Sequence, residues 1–435
     1  MSPGMAAAIM IGVFVTLVIL RVPVSFALGL ACIPVLLIDE RLTPFVLISE
    51  MWKSQNNFIL LAVPFFLLAA NLMNSAGITQ RLVNLAQATV GHLPGGLGHV
   101  NVTVSMLFAG ISGSSTADAA GIGALLIPSM KKEGYDSSFT VAITACSSVM
   151  GVIIPPSIIM IVWGGLMSVS IAGLFLAGVV PGILITLILM GATLCYARAR
   201  NYPVGKRASF REFLMAFRRA GLALVTPIII VGGIVGGLFT PTEASVIAVV
   251  YSLLLGVLVY RSIGLKQMPK VFYDSARLAA ISLFCIGTAS AFGWLLAYFQ
   301  IPDALVDVLA GLGAGPIATG FLVAMAFLFV GMFIDAIPAI IVLGSVLWPL
   351  GGKVGMHPIH FAIIGVISLA FGLVTPPYGL CLLISASLGK IKVVDALRDV
   401  GIILLPMLGL LVLVVVFPEL VLFLPRWLAP HFLLS

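Results

Sequence analysis

Two adjacent prolines inside a long apolar segment do not suit a plain spanning helix, and this chain has that arrangement twice. Pro155–Pro156 interrupts the apolar run 138–166, and Pro376–Pro377 interrupts the run 361–388. A proline cannot donate to the carbonyl four residues back, and its ring clashes there. Pro155 therefore frees the carbonyl of Gly151 and Pro156 that of Val152, while Pro376 frees Gly372 and Pro377 frees Leu373. Such backbone survives at membrane depth only where it is buried in protein or lines a polar cavity. Broken helices of this kind hold substrate and ions in ion-coupled carriers.

The two breaks belong to an internal repeat. They lie 221 residues apart, and the same offset relates Pro128 to Pro349, Gly134 to Gly355 and Gly151 to Gly372. IPSMKKEG…GVIIPPS is thus shadowed by WPLGGKVG…GLVTPPY, and RVPVS (21–25) answers to FTPTE (239–243) at offset 218. Fixed-offset self-similarity argues for a repeated unit. Each break follows two apolar limbs joined by an unusual turn. In the first half, Leu97–Ala109 and Ala119–Met130 flank AGISGSSTADAAGIG (109–123). In the second, Pro316 to about Leu350 surrounds GMFIDAIPA (331–339). Both read as re-entrant helical hairpins.

Composition sets the medium. The chain is 61% hydrophobic and 9% charged, against about 25% charged residues in a soluble domain. The fold class is an all-α polytopic membrane protein of about ten spans at ~20 residues each. The segment 198–219 carries seven arginines and lysines against Glu212 alone, which places it on the cytoplasmic side. Counting from it gives ten crossings, two hairpins and both termini outside. Lys53, Lys353 and Arg426 are the isolated exceptions. Five crossings per half make the repeat inverted, with paired broken helices meeting near the midplane. The expected division is scaffold 1–90, transport domain 91–200, loop and scaffold 201–312, and transport domain 313–435. The net charge of +7 reports cytoplasmic loops facing a lipid bilayer and not a nucleic-acid partner. Gly4–Leu20 reads as a retained first span. Five scattered cysteines and five histidines show neither a disulfide framework nor transition-metal spacing. The chain lacks a His-Glu-x-x-His pair and a buried catalytic dyad, so it has no catalytic residues and is not an enzyme. An open channel fits less well than alternating access, because the hairpin tips would occlude the path.

The chemistry of the breaks follows from their atoms. Freed carbonyls attract a small hard cation, and hydroxyls can complete its shell: Ser112, Ser114, Ser115 and Thr116 at the first tip, Thr375 at the second break. Helix N-termini near Ser115 and Ser157 favour an anion, and no Arg or Lys lies in either tip or break. Asp118 fits two roles equally, a capping box with Ser115 or direct ion binding. Asp335 stands 221 after Ser114, at the second tip, and is open to two roles, a site or gating residue, which is favoured, or a simple cap. Glu243 reads as an N-cap or scaffold contact, and Trp163, Trp294 and Trp348 as packing or interface residues.

GISGSSTADAAGIG, the IPPS break, the GLFTPTEA entrance and the TPPYGL break together resemble the large membrane subunit of tripartite ATP-independent periplasmic (TRAP) transporters. The resemblance runs from the first span to the last. It implies an elevator-type secondary carrier in the bacterial inner membrane, driven by sodium as the coupling ion, without an organic cofactor. Its cargo would be an organic acid of the sialic acid or C4-dicarboxylate type. It also implies a separate small four-span membrane subunit and a periplasmic substrate-binding protein as partners. Carried over, one sodium site would use Ser112, Gly113, Ser114 and Ser115 with Gly151, Val152 and Ile154. The other would use Gly331 and Asp335 with Gly372, Leu373 and Thr375. Substrate would lie near Ser114, Thr116, Ser157, Thr375 and Tyr378. The second tip lacks the Ser/Thr cluster of the first. The alternative is a self-sufficient sodium- or proton-coupled organic anion carrier of the same architecture.

Overall fold

The computed structural model describes residues 1–304 and 315–433. The expected domain boundary at 312/313 and the final residue of the last domain, 435, lie outside them. The first half contains α1 (Pro3–Ile19), α2 (Val24–Ile38), α3 (Phe45–Gln55), α4 (Ala62–Ser75) and α5 (Ile78–Val90). A hairpin follows, α6 (Gly96–Ser112) and α7 (Ser115–Lys132), then a broken helix, α8 (Ser137–Ser148), α9 (Met150–Ile153) and α10 (Ile158–Met167), and then α11 (Ile171–Ala199). The second half contains α12 (Phe210–Val235), α13 (Pro241–Leu254) and α14 (Met268–Tyr298). Its hairpin is α15 (Pro316–Gly331) and α16 (Ala336–Lys353), its broken helix α17 (Pro358–Gly372) and α18 (Leu380–Gly389). The chain closes with α19 (Val393–Val416) and α20 (Glu419–Leu428). Hairpin, broken helix and a long apolar helix thus occur twice in the same order.

Among the described residues, eight helices are long and apolar enough to cross a membrane. Seven coincide with expected crossings; the eighth, Ala336–Lys353, is a limb of the second hairpin. The expected first, second and ninth crossings are shorter helices, the ninth being the broken pair α17 and α18. Two helices start earlier than hydropathy suggests. α12 begins at Phe210 and not Gly221, because Ser209 and Glu212 form a reciprocal capping box that draws the basic segment into the helix. α14 begins at Met268 with Pro269 in its first turn, where a missing N–H costs nothing. The expected last crossing, 402–424, divides: α19 ends at Val416, before Pro418, and α20 is a separate amphipathic helix.

Packing sorts the helices by burial. In its most apolar window, 137–167 is 94% buried, whereas 210–235 is 22% buried. The first is wrapped by protein and the second turns its apolar side chains outward. α2, α3 and α4 pack on α14, α4 on α13, and α1 on α2. The hairpins and broken helices of the two halves interleave: α18 lies against α7 and α8, α19 against α8, and α10 against α16.

One end of this interleaved body is locked by charge. Arg200, at the end of α11, donates to Asp399 of α19 at 2.7 Å and to Asp136, before α8, at 2.9 Å. The Tyr196 hydroxyl donates to Asp399 at 3.0 Å, Ser138 to Asp399 at 2.7 Å, and Tyr202 to Asp136 at 2.7 Å. Lys131 adds a bond to the Gly389 carbonyl at 2.8 Å, joining α7 to the end of α18. Asp399 is 2% exposed, so Asp399→Ala would leave Arg200 and Tyr196 without their buried acceptor. The expected cost is about 2–3 kcal/mol, measured as a lower thermal midpoint in detergent. An unchanged midpoint would show that the lock does not hold the two halves together. The Tyr202 hydroxyl first, then Arg200, holds the Asp136 carboxyl below its ordinary value. The folded protein therefore binds fewer protons there than the unfolded chain. This contribution is complete above the usual carboxylate range, about pH 4, and is lost as pH falls through the lowered value.

Candidate functional site

The first hairpin turns in two residues. Gly113 closes α6 at φ +63°, and Ser114, in extended conformation, caps α7 by accepting from the Ala117 amide at 3.5 Å. A Cβ on Gly113 would stand 2.9 Å from the Pro156 carbonyl, so glycine meets both the left-handed backbone and the close approach. The tip is tied to the break: the Ile158 amide, first in α10, donates to the Gly113 carbonyl at 3.2 Å. The second half uses the same device. Asp335 caps α16, accepting from the Ala336 amide at 2.8 Å, and the Tyr378 amide donates to the Met332 carbonyl at 3.2 Å. Ser114 and Asp335, 221 residues apart, thus hold equivalent N-caps. Both proline pairs contain cis peptide bonds.

Most of the freed carbonyls find a protein donor. Ser157 donates to Val152 at 2.7 Å while accepting from the Met160 amide at 3.4 Å, so one hydroxyl bridges the break and caps α10. The Thr375 amide donates to Gly372 at 3.0 Å, and the Cys381 amide to Leu373 at 2.9 Å. Thr375 Oγ1 donates to the Phe371 carbonyl at 2.6 Å. Each carbonyl keeps a second lone pair, through which it can still meet a cation.

Asp118 does not form a capping box with Ser115, because the N-cap is Ser114, one residue earlier. The carboxylate is fully buried. Its Oδ1 accepts from the Ser112 hydroxyl, and its Oδ2 has no hydrogen-bond partner among the described residues. A Cβ added to Gly151 would run into that carboxylate, so the side chain lies directly on the backbone of the first break. Burying an unpaired carboxylate is costly; this one lies against Gly151, the residue whose carbonyl Pro155 frees. Ala339 stands 221 after Asp118, so the second half has no counterpart.

Both tips meet in a cavity of about 340 Å³. Ser112 to Ala117 form one wall, with Val152, and Asp335 to Ile337 another, with Leu373. The third wall comes from α4 and α14, which supply Leu67, Ala70, Asn71, Leu278, Ile281 and Ser282. No lysine or arginine is among these residues; the N-termini of α7 and α16 both open on the space. The arrangement offers hydroxyls, one amide, two helix dipoles and a carboxylate to a small polar solute.

The expected residues therefore divide. Ser112, Gly113, Ser114, Ser115, Thr116, Val152, Asp335 and Leu373 line the cavity, while Gly151, Ile154, Ser157, Gly331, Gly372, Thr375 and Tyr378 do not. Gly151 lies behind Asp118, and Gly331 and Gly372 press backbone to backbone. Ser157 is fully buried, and Tyr378 is 49% exposed. Asn71 and Ser282 also line the cavity and were not singled out from the sequence, where each stands as a polar residue inside an apolar span. Asn71 is held by a 2.8 Å bond to Ser275 of α14. Glu243 is the capping partner of Thr240, as its position suggested. Trp163 packs between Phe327 and Phe361.

Comparison with known proteins agrees with this architecture. Residues 11–420 match the family described as "Tripartite ATP-independent periplasmic transporter, DctM component". The chain is 39% identical over 430 residues to the uncharacterized protein YgiK of Salmonella typhimurium, covering 97% of this chain and 98% of that one. It is 37% identical to the sialic acid TRAP transporter large permease protein SiaM of Vibrio cholerae, over 93% of this chain and 95% of the relative. It is also 37% identical to the C4-dicarboxylate TRAP transporter large permease protein DctM of Pseudomonas aeruginosa, over 87% and 89%. Among solved structures, the YdaH transporter of Alcanivorax borkumensis superposes with a TM-score of 0.65, covering 88% of this chain and 90% of that one. At 14% identity it shares the fold. The chain belongs to the DctM-component family: it is a large membrane subunit of a TRAP transporter, a multi-pass permease and not an enzyme.

Proposed function

We propose that this subunit moves a small organic acid into the cytoplasm across the bacterial inner membrane, driven by sodium ions bound beside the substrate. The family implies secondary transport of organic acids; sodium coupling, the site residues and the motion are our own reading, which the broken helices and the two-tip cavity support. The observation that carries the reading is the two-tip cavity, which has room for a small acid, no lysine or arginine, and Asp335 in its wall. An anionic substrate 4 Å from a carboxylate would meet a repulsion of about 1–4 kcal/mol. Two helix N-termini offset part of this, at about half a charge each. Bound cations supply the rest.

One sodium site is assigned to the Ser112–Ser115 tip and the Gly151–Ile154 backbone, with the free oxygen of Asp118 as an added ligand. The other is assigned to the Gly331–Asp335 tip with Gly372, Leu373 and Thr375. The acid lies against Ser114 and Thr116, with Asn71 and Ser282 facing it from the opposite wall. The names of the relatives SiaM and DctM point to sialic acid and C4-dicarboxylates as cargo classes. In the cell, substrate would come from a periplasmic binding protein, with a small four-span subunit bound to the α1–α4 and α12–α14 side. Hairpins and broken helices would move as one body against that side, and both termini would face the periplasm.

The test is uptake by proteoliposomes holding this chain, its small subunit and a binding protein, with and without an inward sodium gradient. Uptake should require all three proteins and sodium. Uptake by this chain alone would favour a self-sufficient carrier, and uptake indifferent to sodium would sink the coupling. Ser114→Ala and Thr375→Ala are each expected to weaken sodium dependence about fivefold to tenfold, while Trp294→Phe leaves it unchanged. A sodium response unaltered in both would remove these residues from the site.

A further inference from the structure

The two tips hold equivalent places in the repeat but present different chemistry to the cavity. The N-cap of α7 is Ser114, a hydroxyl, and the N-cap of α16 is Asp335, a carboxylate. The first tip adds Thr116, whose hydroxyl lies 3.1 Å from that of Ser114. After Asp335, the second tip adds only Ala336 and Ile337. A substrate with two like anionic ends would be served by two like caps. These caps differ in charge, so the cavity distinguishes one end of its occupant from the other.

Charge limits the number of carboxylates. On the reading proposed above, two sodium ions and two helix N-termini, at about half a charge each, stand against Asp118 and Asp335, which leaves about one positive charge over. One substrate carboxylate, seated on Ser114 and Thr116 at the start of α7, cancels it. A second carboxylate would reach toward Asp335 and bring a charge that no lysine or arginine of the described lining can meet. Burying such a charge unpaired is costly. Polar partners for the rest of the substrate are few. Ser112 is bonded to Asp118, and Ser115 donates to the Val149 carbonyl at 3.5 Å. Asn71 gives its amide group to Ser275. The rest of the third wall is aliphatic, formed by Leu67, Ala70, Leu278 and Ile281. Leu278 and Ile281 are 46% and 55% exposed, so an apolar solute that covers them is favoured. A body with a hydroxyl on most carbons would lose its water there and find few partners.

We infer that the substrate is a monocarboxylate with an aliphatic body, its carboxylate at the Ser114–Thr116 tip and its alkyl chain against Leu67, Leu278 and Ile281. The inference rests on the proposed transport site and narrows what that site takes. It departs from both cargo classes in the names of DctM and SiaM: a C4-dicarboxylate carries a second charge, and sialic acid is a polyhydroxylated acid.

The test is isothermal titration of the detergent-solubilised full chain with hexanoate, adipate and gluconate, acids of equal carbon count, in sodium and in potassium buffers. At about pH 7.5 every carboxylate among them is ionised. Hexanoate carries one carboxylate on an alkyl chain, adipate adds a second carboxylate, and gluconate adds a hydroxyl to each remaining carbon. In sodium, hexanoate should bind about tenfold more tightly than either of the others, and its affinity should fall in potassium. Ile281→Lys places a cation on the aliphatic wall and should shift the balance toward adipate about tenfold. Ile281→Thr removes part of the apolar surface and should narrow the preference for hexanoate over gluconate about threefold. Sodium-dependent binding of adipate or gluconate as tight as that of hexanoate would overturn the substrate class and leave the transport site standing. Binding that ignores sodium, or no binding of any of the three, would remove the site and the inference with it. A wild-type preference for hexanoate that neither Ile281 variant moves would also overturn the inference, because the wall would then not be what reads the chain.

Discussion

Asp118→Asn should raise the sodium concentration needed for half-maximal uptake about 30-fold to 100-fold, while the folded protein is still recovered. The substitution keeps the shape of the side chain and can still accept from the Ser112 hydroxyl, the bond made by Oδ1. What it removes is the charge on a fully buried carboxylate whose second oxygen meets no donor among the described residues. Losing one charged ligand of a desolvated cation corresponds to about 2–3 kcal/mol. The effect should fall on sodium and not on substrate: at saturating sodium, the substrate affinity of the variant should approach that of wild type. Sodium titration of uptake and of thermal stability, on the same preparation, separates the two. An unchanged sodium midpoint in both measurements would exclude Asp118 as a ligand. Ser112→Ala makes a graded companion, because it removes only the donor that orients the carboxylate and should shift the midpoint less.

Gly372→Ala should be among the most disruptive single-methyl substitutions in the molecule. A Cβ there would stand 2.7 Å from both the Cα and the carbonyl carbon of Gly331, and 2.8 Å from the Leu328 carbonyl. These are backbone atoms of α15 and cannot rotate aside, so the hairpin must shift away from the break. The expected cost is about 3 kcal/mol or more, in the range of severe overpacking, seen as a large drop in thermal midpoint or in recovered protein. Gly409→Ala in α19 is the matched control, since its added methyl meets nothing within 4 Å and replaces a poor helix residue by a good one. Equal stability of the two variants would mean that the Gly331–Gly372 contact does not hold hairpin and break together.

Much of this architecture could be read from the residues because the deciding signals are local. Proline pairs break helices wherever they fall, and Gly113 before Ser114 spells a tight turn, so hairpins and breaks appear at the expected places. Asp335 was placed at the second tip by offset alone and is the N-cap there. The failures have different causes. Helix starts at Phe210 and Met268 were missed because caps and propensity extend a helix through charged residues that hydropathy assigns to loops. Asp118 was given two roles because Ser115-x-x-Asp118 satisfies a capping pattern; only the backbone shows that the cap falls on Ser114. Asn71 and Ser282 went unremarked because a single polar residue in a span gives no indication of which distant hairpin it faces. Ser157 and Thr375, expected at the substrate, have hydroxyls already bonded to Val152 and Phe371, a satisfaction that no linear pattern reveals.

The hydrogen bonds from Ile158 to Gly113 and from Tyr378 to Met332 have a use beyond holding each tip on its break. Each is a single backbone amide, protected from solvent only while its own hairpin is seated. Their hydrogen–deuterium exchange rates therefore report the opening free energy of the two halves separately. If sodium fills the proposed sites one after the other, exchange at Ile158 and at Tyr378 should slow at different sodium concentrations, and the gap between them would order the binding events without any measurement of transport.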